Sequence, residues 1–476
     1  MSSENNLRKF SSAQLFNFCI GFFGLQFAWQ MRIILSGPLT ESLGASPLLY
    51  GLIWLAGPVT GIVVQPIIGA LSDNTFTRFG RRIPYLFFGA VFGAVGLVLL
   101  PKSQMISELF GENHPGWLAL LIAALFIWVI DACVNAAQGP YRALIPDNID
   151  KSQHAIANSF LSFAIGLGSV IAAGVAPFLK WAFDYQMSVD AQFTMAGIAF
   201  VLGVLWTCLT FRENKVSKET LTEQKLEARK TVSKSFIQNV KEFLSASPEV
   251  GKICTIQFFT WIGLMSLLIF FTQYVVHILY NVPNTMGIAK EAVDLLYANG
   301  LSIEKAQVEA QNFASICFAF FNLVCFIIAI PIAKMAEIRG NKRVHAGSLL
   351  LMAFAYLLIS LLPNKVTVFA AMGLAGIGWA STLALPFAML SKYIKEGTEG
   401  SAMGIFNIFI SAPQVLVCTV LAWVINNSIY LVHTDDGFIE RAGVGILTNN
   451  HWEYAFLFGA VMLIISAVIT LTIREK

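Results

Sequence analysis

Twelve long apolar segments, separated by short polar ones, decide what this chain can fold into. A helix needs roughly 20 mainly apolar residues to cross the hydrocarbon core of a membrane. Of the 476 residues, 56% are hydrophobic and only 12% are charged, which is more apolar surface than a water-soluble domain buries. We therefore predict an all-α membrane protein with twelve transmembrane helices. The segments lie at about 13–38, 48–71, 84–101, 116–144, 154–179, 192–211, 252–279, 312–333, 345–362, 366–392, 401–425 and 453–473.

Basic residues are distributed unequally between the two sets of loops. On the side of the N-terminus the loops hold 23 of the 31 lysines and arginines, whereas the opposite loops hold six. Cytoplasmic loops of membrane proteins carry the excess of lysine and arginine. The sequence therefore predicts a multi-pass protein of the cytoplasmic membrane, with both termini and the long central polar segment in the cytoplasm.

The two halves of the chain repeat each other. "GALSDNTFTRFGRRIPY" after the second apolar segment corresponds to "PIAKMAEIRGNKRVHA" after the eighth, and "GPYRALIP" after the fourth corresponds to "LPFAMLSK" after the tenth. Two six-helix repeats related by an axis along the membrane normal are the architecture of the major facilitator superfamily, whose binding site lies near the midplane between the halves. We predict this fold, with two pseudo-symmetric six-helix bundles at 1–211 and 252–476 and a cytoplasmic linker at 212–251.

Charged loops occupy equivalent places in the two halves, each with an acid before a basic run that contains a glycine. Arginines close to an acid and to a helix end can hold two bundles together on the cytoplasmic side and release them as the bundles rock. The repeated glycine spacing favours this role over a loop that only sets orientation. The residues assigned to this gate are Gly69, Asp73, Arg78, Gly80, Arg81, Arg82, Glu337 and Arg339.

The fourth apolar segment carries charges inside the membrane. A charged side chain at the middle of a membrane helix costs about 2.5–3.5 kcal/mol, so such residues usually face the interior of the bundle. With 3.6 residues per turn, one face of this helix carries Asp131, Asn135, Gln138 and Arg142. Asp131 and Arg142 are about 16 Å apart along a straight helix, too far for an ion pair. We assign all four residues to substrate binding.

Asp131 is the one carboxylate well inside an apolar segment, which makes it the candidate proton carrier. Removal from water favours its protonated form, whereas the permanent charge of Arg142 would oppose protonation at short range. Movement of the two residues relative to each other could then control proton release. His277, near the end of the seventh segment, is a second candidate, but its place at the water boundary favours a solvated histidine at a helix end.

The first apolar segment adds side chains that suit a sugar. Amides and charged groups bind sugar hydroxyls, and an aromatic ring covers the apolar face of the sugar. We therefore assign Gln26, Trp29, Gln30 and Arg32 to substrate binding. The sequence contains no nucleotide-binding, cofactor, metal-ligand or hydrolase motif. We predict a transporter that is not an enzyme, with no cofactor beyond a proton as co-substrate and no nucleic-acid partner.

Several stretches resemble, in order along the chain, the sucrose and maltose proton symporters of the glycoside-pentoside-hexuronide branch of the major facilitator superfamily. They are "GLQFAWQMRIIL", "LIWLAGPVTGIVVQPIIGALSDNTFTRFGRRIPY", "DACVNAAQGPYRALIPD", "TLALPFAMLSKY" and "GIFNIFISAPQ". The resemblance implies import of an α-glucoside disaccharide with a proton. It also implies that Asp131 binds the proton and sugar hydroxyls and that Arg142 is required for transport. Arg32 departs from the pattern of the plant relatives, in which the residue at the equivalent position looks uncharged.

Other functions fit the sequence as well. The sodium-coupled melibiose transporters of this family use more than one carboxylate in the site, so the single Asp131 favours coupling to a proton. Sodium-coupled transport, uncoupled transport and export remain alternatives. A transport-inactive sugar sensor is a further alternative, which the ordinary length of the central segment disfavours. We expect a small-molecule sugar and the lipid bilayer as the partners of a monomer.

Overall fold

The computed structural model describes residues 8–73, 75, 77–111, 116–213, 236–245, 247–282, 301–393, 399–428 and 451–474. Within these residues, twelve helices are long and apolar enough to cross a membrane. The prediction of an all-α protein with twelve spans is thereby confirmed. Most of the predicted linker at 212–251 lies outside the described residues.

The first half contains six spans. Their bounds are α1 Ser12–Ser42, α2 Pro47–Trp54 continued by Ala56–Asp73, α3 Ile83–Leu99 continued by Ser103–Glu108, α4 Trp117–Asn148, α5 His154–Phe183 and α6 Val189–Thr210. The second half contains the other six. Their bounds are α7 Pro248–Tyr274 continued by Val275–Leu279, α8 Leu301–Arg339, α9 Asn341–Leu361, α10 Lys365–Ser391, α11 Glu399–Leu416 continued by Val417–Leu421 and Ala422–Ser428, and α12 Tyr454–Leu471.

Helix starts follow local sequence signals. Serine side chains accept hydrogen bonds from backbone N–H groups in the first turns of α1, α2, α6 and α7, where they satisfy donors that have no partner within the helix. Several helices extend beyond their apolar runs: α1 reaches Ser42 and α8 begins at Leu301. Polar residues continue these helices because the backbone hydrogen bonds do not depend on an apolar surface.

The described part of the linker contains a helix that the sequence did not predict, Phe236–Ser245. Phe243 from this helix packs into a buried cluster with Val250 of α7 and Phe406 of α11. The helix is therefore attached to the second half by an apolar contact. Helix α7 itself starts at Pro248, four residues before the predicted start of the seventh apolar segment at 252.

Pseudo-symmetry extends to the packing of the helices. Gly24 of α1 lies against the backbone of Ala199 in α6, and an added Cβ there would overlap the carbonyl group. In the second half, an added Cβ at Gly263 of α7 would stand 3.0 Å from the carbonyl oxygen of Gly459 in α12. Small residues let membrane helices approach closely. The first and last helices of each half therefore meet in the same way.

Both ends of the chain lie on one side of the molecule. Arg8 donates a hydrogen bond to the backbone carbonyl of Arg212, and Lys252 donates one to the carbonyl of Thr472 at 3.0 Å. We call this the terminus side, and we call the opposite side the distal side.

The two halves pack tightly against each other on the distal side. The Tyr50 hydroxyl of α2 donates to the carbonyl oxygen of Ile269 in α7 at 3.2 Å. Gly51 lies against the backbone of Cys418 in α11, and Gly37 of α1 lies against the Gln273 amide of α7, with no room for a side chain at either glycine. The distal part of the interface is therefore closed.

Candidate transport site

A buried ion pair joins two helices of the first half. Nη2 of Arg32 lies 2.5 Å from Oδ2 of Asp131, and the two side chains are 2% and 3% exposed. The guanidinium group also lies over the ring of Trp54 in α2, 4.2 Å from its centroid. Cation–π contact stabilises a desolvated arginine by about 2 kcal/mol. Three helices therefore fix the position of one positive and one negative charge.

The polar stripe of α4 continues from this pair into a hydrogen-bond network with α2. Nδ2 of Asn135 donates to Oγ1 of Thr60 at 2.9 Å and to the carbonyl oxygen of Asp131 at 3.0 Å. Nε2 of Gln65 donates to Oδ1 of Asn135 at 2.7 Å and to Oε1 of Gln138 at 3.4 Å. Thr60 and Gln65 of α2 were not among the site residues predicted from the sequence. The signal available was a glutamine inside an apolar segment.

Arg142 lies apart from the ion pair, as the helix geometry predicted. Its side chain is exposed, and its guanidinium carbon lies 5.3 Å from the centroid of the Phe22 ring. Other polar side chains on the terminus-side part of the spans are exposed as well, namely Asn158, Ser162 and Asn407. Exposure of such groups to lipid is unfavourable. We infer that they line a water-accessible opening between the halves on the terminus side.

The residues assigned on α1 do not all lie together. Gln30 is buried and faces the second half, where Nδ2 of Asn322 in α8 lies 3.4 Å from its Oε1. Gln26 packs against Gly168 of α5 within the first half, and Trp29 is half-buried. Within the described residues, Arg32 and Gln30 are thus the two assigned α1 residues whose polar atoms lie close to polar side chains of other spans.

The second half contributes buried amides that were not among the site residues predicted from the sequence. Gln257 and Gln273 of α7 are fully buried, and within the described residues their amide atoms have no hydrogen-bond partner. One turn after Gln257, Trp261 packs perpendicular to Trp379 of α10, with the ring centroids 5.8 Å apart. A buried amide without a partner costs about 1–3 kcal/mol. Hydroxyl groups of a ligand would remove that cost.

His277 does not have the solvated position expected from the sequence. The side chain is buried, Nε2 lies 3.1 Å from Oε1 of Glu41, and the ring stacks on Trp452. The expectation was wrong because α1 extends to Ser42 and brings Glu41 over the end of α7. The apolar run alone did not show this extension.

In the charged loop of the first half, the arginines form ion pairs with carboxylates of the same half. Arg82 lies 2.6 Å from Asp73 and 3.0 Å from Asp147, and Arg81 lies 2.8 Å from Asp147. Arg82 also donates to Ser72 Oγ at 2.5 Å and points Nη1 toward the carbonyl oxygen of Gly69 at 3.5 Å. These contacts connect the ends of α2, α3 and α4.

Glu213, after α6, completes this group of charges. Its Oε2 accepts hydrogen bonds from the backbone N–H groups of Arg82 at 2.8 Å and Ile83 at 3.4 Å, at the start of α3. Burial raises the pKa of the Glu213 carboxyl, against the opposing effects of these N–H donors and of the Arg81 charge. A carboxylate at a helix N-terminus stabilises the partial positive charge there.

The remaining gate residues differ between the halves. Gly80 and Gly340 both have a positive φ, 116° and 86°, so the repeated glycine marks the same kind of backbone turn. Arg78 is exposed and lies over the Phe79 ring, while Glu337 and Arg339 are exposed on the second half. The ion pairs of the described part of this loop thus lie within the first half and do not bridge the two bundles.

A cavity in the second half is not the transport site. It has a volume of about 510 Å³ and lies between α7, α11 and α12, lined by aliphatic and aromatic side chains such as Val420 and Phe458. A sugar site needs polar groups that converge on the ligand. The cavity lacks them, so the buried polar groups described above are the candidate site.

Comparison with known proteins shows the class to which the chain belongs. Residues 18–303 and 292–476 match the family model of the Major Facilitator Superfamily. The chain belongs to this superfamily and is therefore a membrane transporter, not an enzyme. Among solved structures, a D-xylose-proton symporter superposes with a TM-score of 0.65 at 15% identity, covering 98% of this chain and 99% of the symporter. The nucleoside transporter NupG superposes with a TM-score of 0.61 at 12% identity over 97% of this chain and 99% of NupG.

Relatives in sequence are more specific. A sucrose transport protein of Arabidopsis thaliana is 25% identical over 428 residues, which is 83% of this chain and 80% of the relative. A general alpha-glucoside permease of Schizosaccharomyces pombe is 25% identical over 502 residues, 87% of each chain. Sucrose transport proteins of Oryza sativa match at 24–25% identity as well.

Proposed function

We propose that this protein imports an α-glucoside disaccharide, such as sucrose or maltose, together with a proton. The observation that carries the proposal is the Arg32–Asp131 pair, a titratable carboxylate buried in the middle of a span and held by a permanent charge. The names of the relatives, sucrose transport protein and alpha-glucoside permease, support the substrate class. The proposal includes both termini in the cytoplasm, in the cytoplasmic membrane, with a monomer as the transporting unit.

The geometry suggests how proton and sugar binding depend on each other. Contact with Arg32 at 2.5 Å favours the ionised form of Asp131. Protonation of Asp131 would weaken this pair and leave Arg32 charged, with the Trp54 ring still covering one face of the guanidinium. Buried donors on both sides of the interface, including Nε of Arg32 in the first half and Nε2 of Gln257 in the second half, would then be available to sugar hydroxyls. In this mechanism the proton releases Arg32 for the sugar.

Alternating access follows from the closed distal side and the open terminus side. With the termini in the cytoplasm, the structure corresponds to the state that faces inward, in which proton and sugar leave toward the cytoplasm. Rocking of the halves would separate the distal contacts at Tyr50 and Gly51 and close the terminus side. Asp131 would then take up its next proton from outside.

Uptake of labelled sucrose and of labelled maltose into proteoliposomes tests the proposal. With an inward proton gradient and no sodium, we expect accumulation above the external concentration, and a protonophore should reduce it to equilibrium. Equal uptake with and without the gradient would indicate a facilitator, and accumulation only with a sodium gradient would indicate sodium coupling. Specific binding without uptake would support a sensor. Each of these three results would contradict proton-coupled import.

A further inference from the structure

The distal part of α2 is a short helix of its own. Pro47–Trp54 is separated from Ala56–Asp73 by Leu55, whose N–H bonds to a carbonyl oxygen three residues back at 3.3 Å. Pro58 has no N–H to offer to the carbonyl group of Trp54, so the hydrogen bonding of the helix is interrupted here. Residues at the ends of helical elements absorb the changes of backbone angle in hinges. We call Pro47–Trp54 the distal segment.

The distal segment contacts the second half through two adjacent buried residues. The Tyr50 hydroxyl donates to the carbonyl oxygen of Ile269 in α7 at 3.2 Å. A Cβ added to Gly51 would stand 2.3 Å from the carbonyl oxygen of Cys418 in α11, so the two helices touch at their backbones. The position of the distal segment therefore depends on closure of the distal side.

The same segment ends at the ring that covers the buried arginine. Trp54 is 3% exposed, and the centroid of its ring lies 4.2 Å from the guanidinium carbon of Arg32. The ring stands at 82° to that of Tyr50, with the centroids 6.1 Å apart. Aromatic rings attract each other in this edge-to-face arrangement. Tyr50 thus connects the distal interface to the residue that covers Arg32.

Two contacts fix the Arg32 side chain in place. Its Nη2 lies 2.5 Å from Oδ2 of Asp131, and the Trp54 ring lies against the guanidinium group. A positive charge beside a carboxyl group favours the ionised form. Without the ring, Arg32 loses one of its two contacts and is free to turn away from Asp131. The carboxyl group then binds a proton more tightly.

Arg32 is the charged group that faces Asp131 among the described residues. Two other titratable groups lie close enough to act on the pair, the Tyr50 hydroxyl of α2 and the Cys418 thiol of α11. Phenol and thiol groups are ordinarily uncharged below about pH 7. Arg142, on the same helix as the aspartate, lies apart against the first helix. The proton affinity of Asp131 is therefore set mainly by the position of Arg32.

We propose that Trp54 is a positioning residue that holds Arg32 against Asp131 only while the distal side is closed. Separation of the contacts at Tyr50 and Gly51 frees the distal segment to tilt at its interrupted end, and the ring then leaves the guanidinium group. The proton affinity of the aspartate is low with the distal side closed and rises when it opens. This inference rests on the proposed function in one respect, the role of Asp131 as proton carrier. It adds the reason why the carrier releases its proton on one side and binds it on the other.

Infrared titration of the full-length protein in lipid nanodiscs tests the proposal without measuring transport. The carbonyl stretch of the protonated Asp131 carboxyl group is the band that is missing in Asp131→Asn, and its intensity is followed between about pH 4 and pH 9. We expect Trp54→Leu to raise the pH of half-protonation by about one unit, a tenfold gain in proton affinity. Trp54→Phe keeps an aromatic face over Arg32 and should cause less than half of this shift.

Two further variants weaken the distal contacts and leave Trp54 and the ion pair in place. Tyr50→Phe removes the hydroxyl group that bonds to α7 but keeps the ring beside Trp54. Gly51→Ala pushes the distal segment away from α11. Both variants should raise the pH of half-protonation of Asp131, in the same direction as Trp54→Leu.

Each of these two variants has a matched control in the second half. Tyr356→Phe removes a comparable buried hydrogen bond, to the carbonyl oxygen of Gly263 at 3.0 Å, which does not cross between the halves. Gly347→Ala adds a methyl group where the described residues leave open space. Neither control should change the pH of half-protonation.

The proposal is overturned if Trp54→Leu has the same pH of half-protonation as the parent or a lower one. It is overturned equally if Tyr50→Phe and Gly51→Ala both keep the parental value, because Trp54 would then be independent of the distal contacts. If Trp54→Leu does not purify as a single species, Trp54→Phe and Tyr50→Phe decide the question, since both should shift the value upward.

Failure of the proposed function gives a different result. A parent without a titrating Asp131 band would refute the proton carrier, and this inference with it. A titrating band that responds to Trp54 and Tyr50 in a protein that takes up no sugar would refute the sugar import alone.

Discussion

Two arginines of the α2–α3 loop in the first half are paired with carboxylates, whereas the acid and the first arginine of the equivalent loop in the second half are exposed. Between α2 and α3, Arg81 and Arg82 contact Asp73, Asp147 and Glu213, while Glu337 and Arg339 of the equivalent second loop are exposed. Both loops nevertheless turn at a glycine with positive φ. The repeat therefore preserves the path of the backbone, whereas the ion pairs described in the first half also depend on Asp147 and Glu213, which lie outside the repeated loop.

A similar difference exists inside the membrane. The first half carries the ion pair and Arg142 in its spans, whereas α7 of the second half buries the neutral amides of Gln257 and Gln273. Amides bind hydroxyl groups without changing charge, and a carboxylate beside an arginine responds to a proton. We therefore expect changes in the first half to alter coupling and stability more strongly than equivalent changes in the second half.

Asp131→Asn should have the largest effect. The substitution leaves Arg32 buried without its counter-charge, and removal of one partner of a buried pair costs about 3–5 kcal/mol. We expect uptake driven by the pH gradient to be lost and thermal unfolding to occur at a lower temperature. Arg32→Gln combined with Asp131→Asn should recover part of the stability but not the coupled uptake, because both charges are then absent.

Asp190→Asn is the control for this change, since the Asp190–Lys102 pair is a partly exposed distal contact of the same half and contributes about 0–1 kcal/mol. Full pH-driven uptake by Asp131→Asn would contradict the role of Asp131 as the proton carrier.

Arg82→Gln should have an intermediate effect. The variant loses charge-assisted hydrogen bonds to Asp73 and Asp147, and each bond of this kind contributes about 1.5–3 kcal/mol. Arg339→Gln in the second half removes an exposed side chain and should change stability by no more than about 0.5 kcal/mol. Thermal unfolding of both variants in the same detergent measures the difference. Equal losses would show that the exposed loop of the second half also carries structural ion pairs.

The smallest expected effect is the contribution of the Glu213 carboxyl to the pH dependence of folding stability. Burial raises the pKa of this carboxyl above its ordinary value, so the folded state binds the proton more tightly than the unfolded chain does. The contribution of Glu213 to folding stability is therefore complete at pH values below the ordinary pKa of glutamate. It declines as the pH rises through the raised pKa of the folded state. Glu213→Gln should remove this decline, a change of about 1–2 °C in Tm across the window.

Thermal unfolding of the parent and of Glu213→Gln from acid to neutral pH measures this contribution. Asp150→Asn is a suitable control, because the pKa of this exposed carboxyl is lowered by hydrogen bonds from Ser152, so its effect on stability has the opposite sign. An unchanged pH profile in Glu213→Gln would contradict the assignment.

Some parts of the site could be read from the sequence and others could not. The face shared by Asp131, Asn135 and Gln138 followed from helical periodicity, and the structure places the two amides in one hydrogen-bond network. The partner of Asp131 did not follow, because Arg32 is 99 residues away and the pairing depends on how α1 packs against α4. Thr60 and Gln65 were missed for the same reason.

By itself, the sequence determined the helical class, the twelve spans, the repeat and the residues whose charge has to be compensated. The reason is that a membrane requires every backbone polar group to bond within its helix and makes each buried charge costly, and both constraints are visible locally. Only the tertiary structure decided which opposite charge compensates Asp131 and that His277 meets Glu41 across the two halves. These contacts depend on helix length and packing over long sequence separations, which local patterns do not contain.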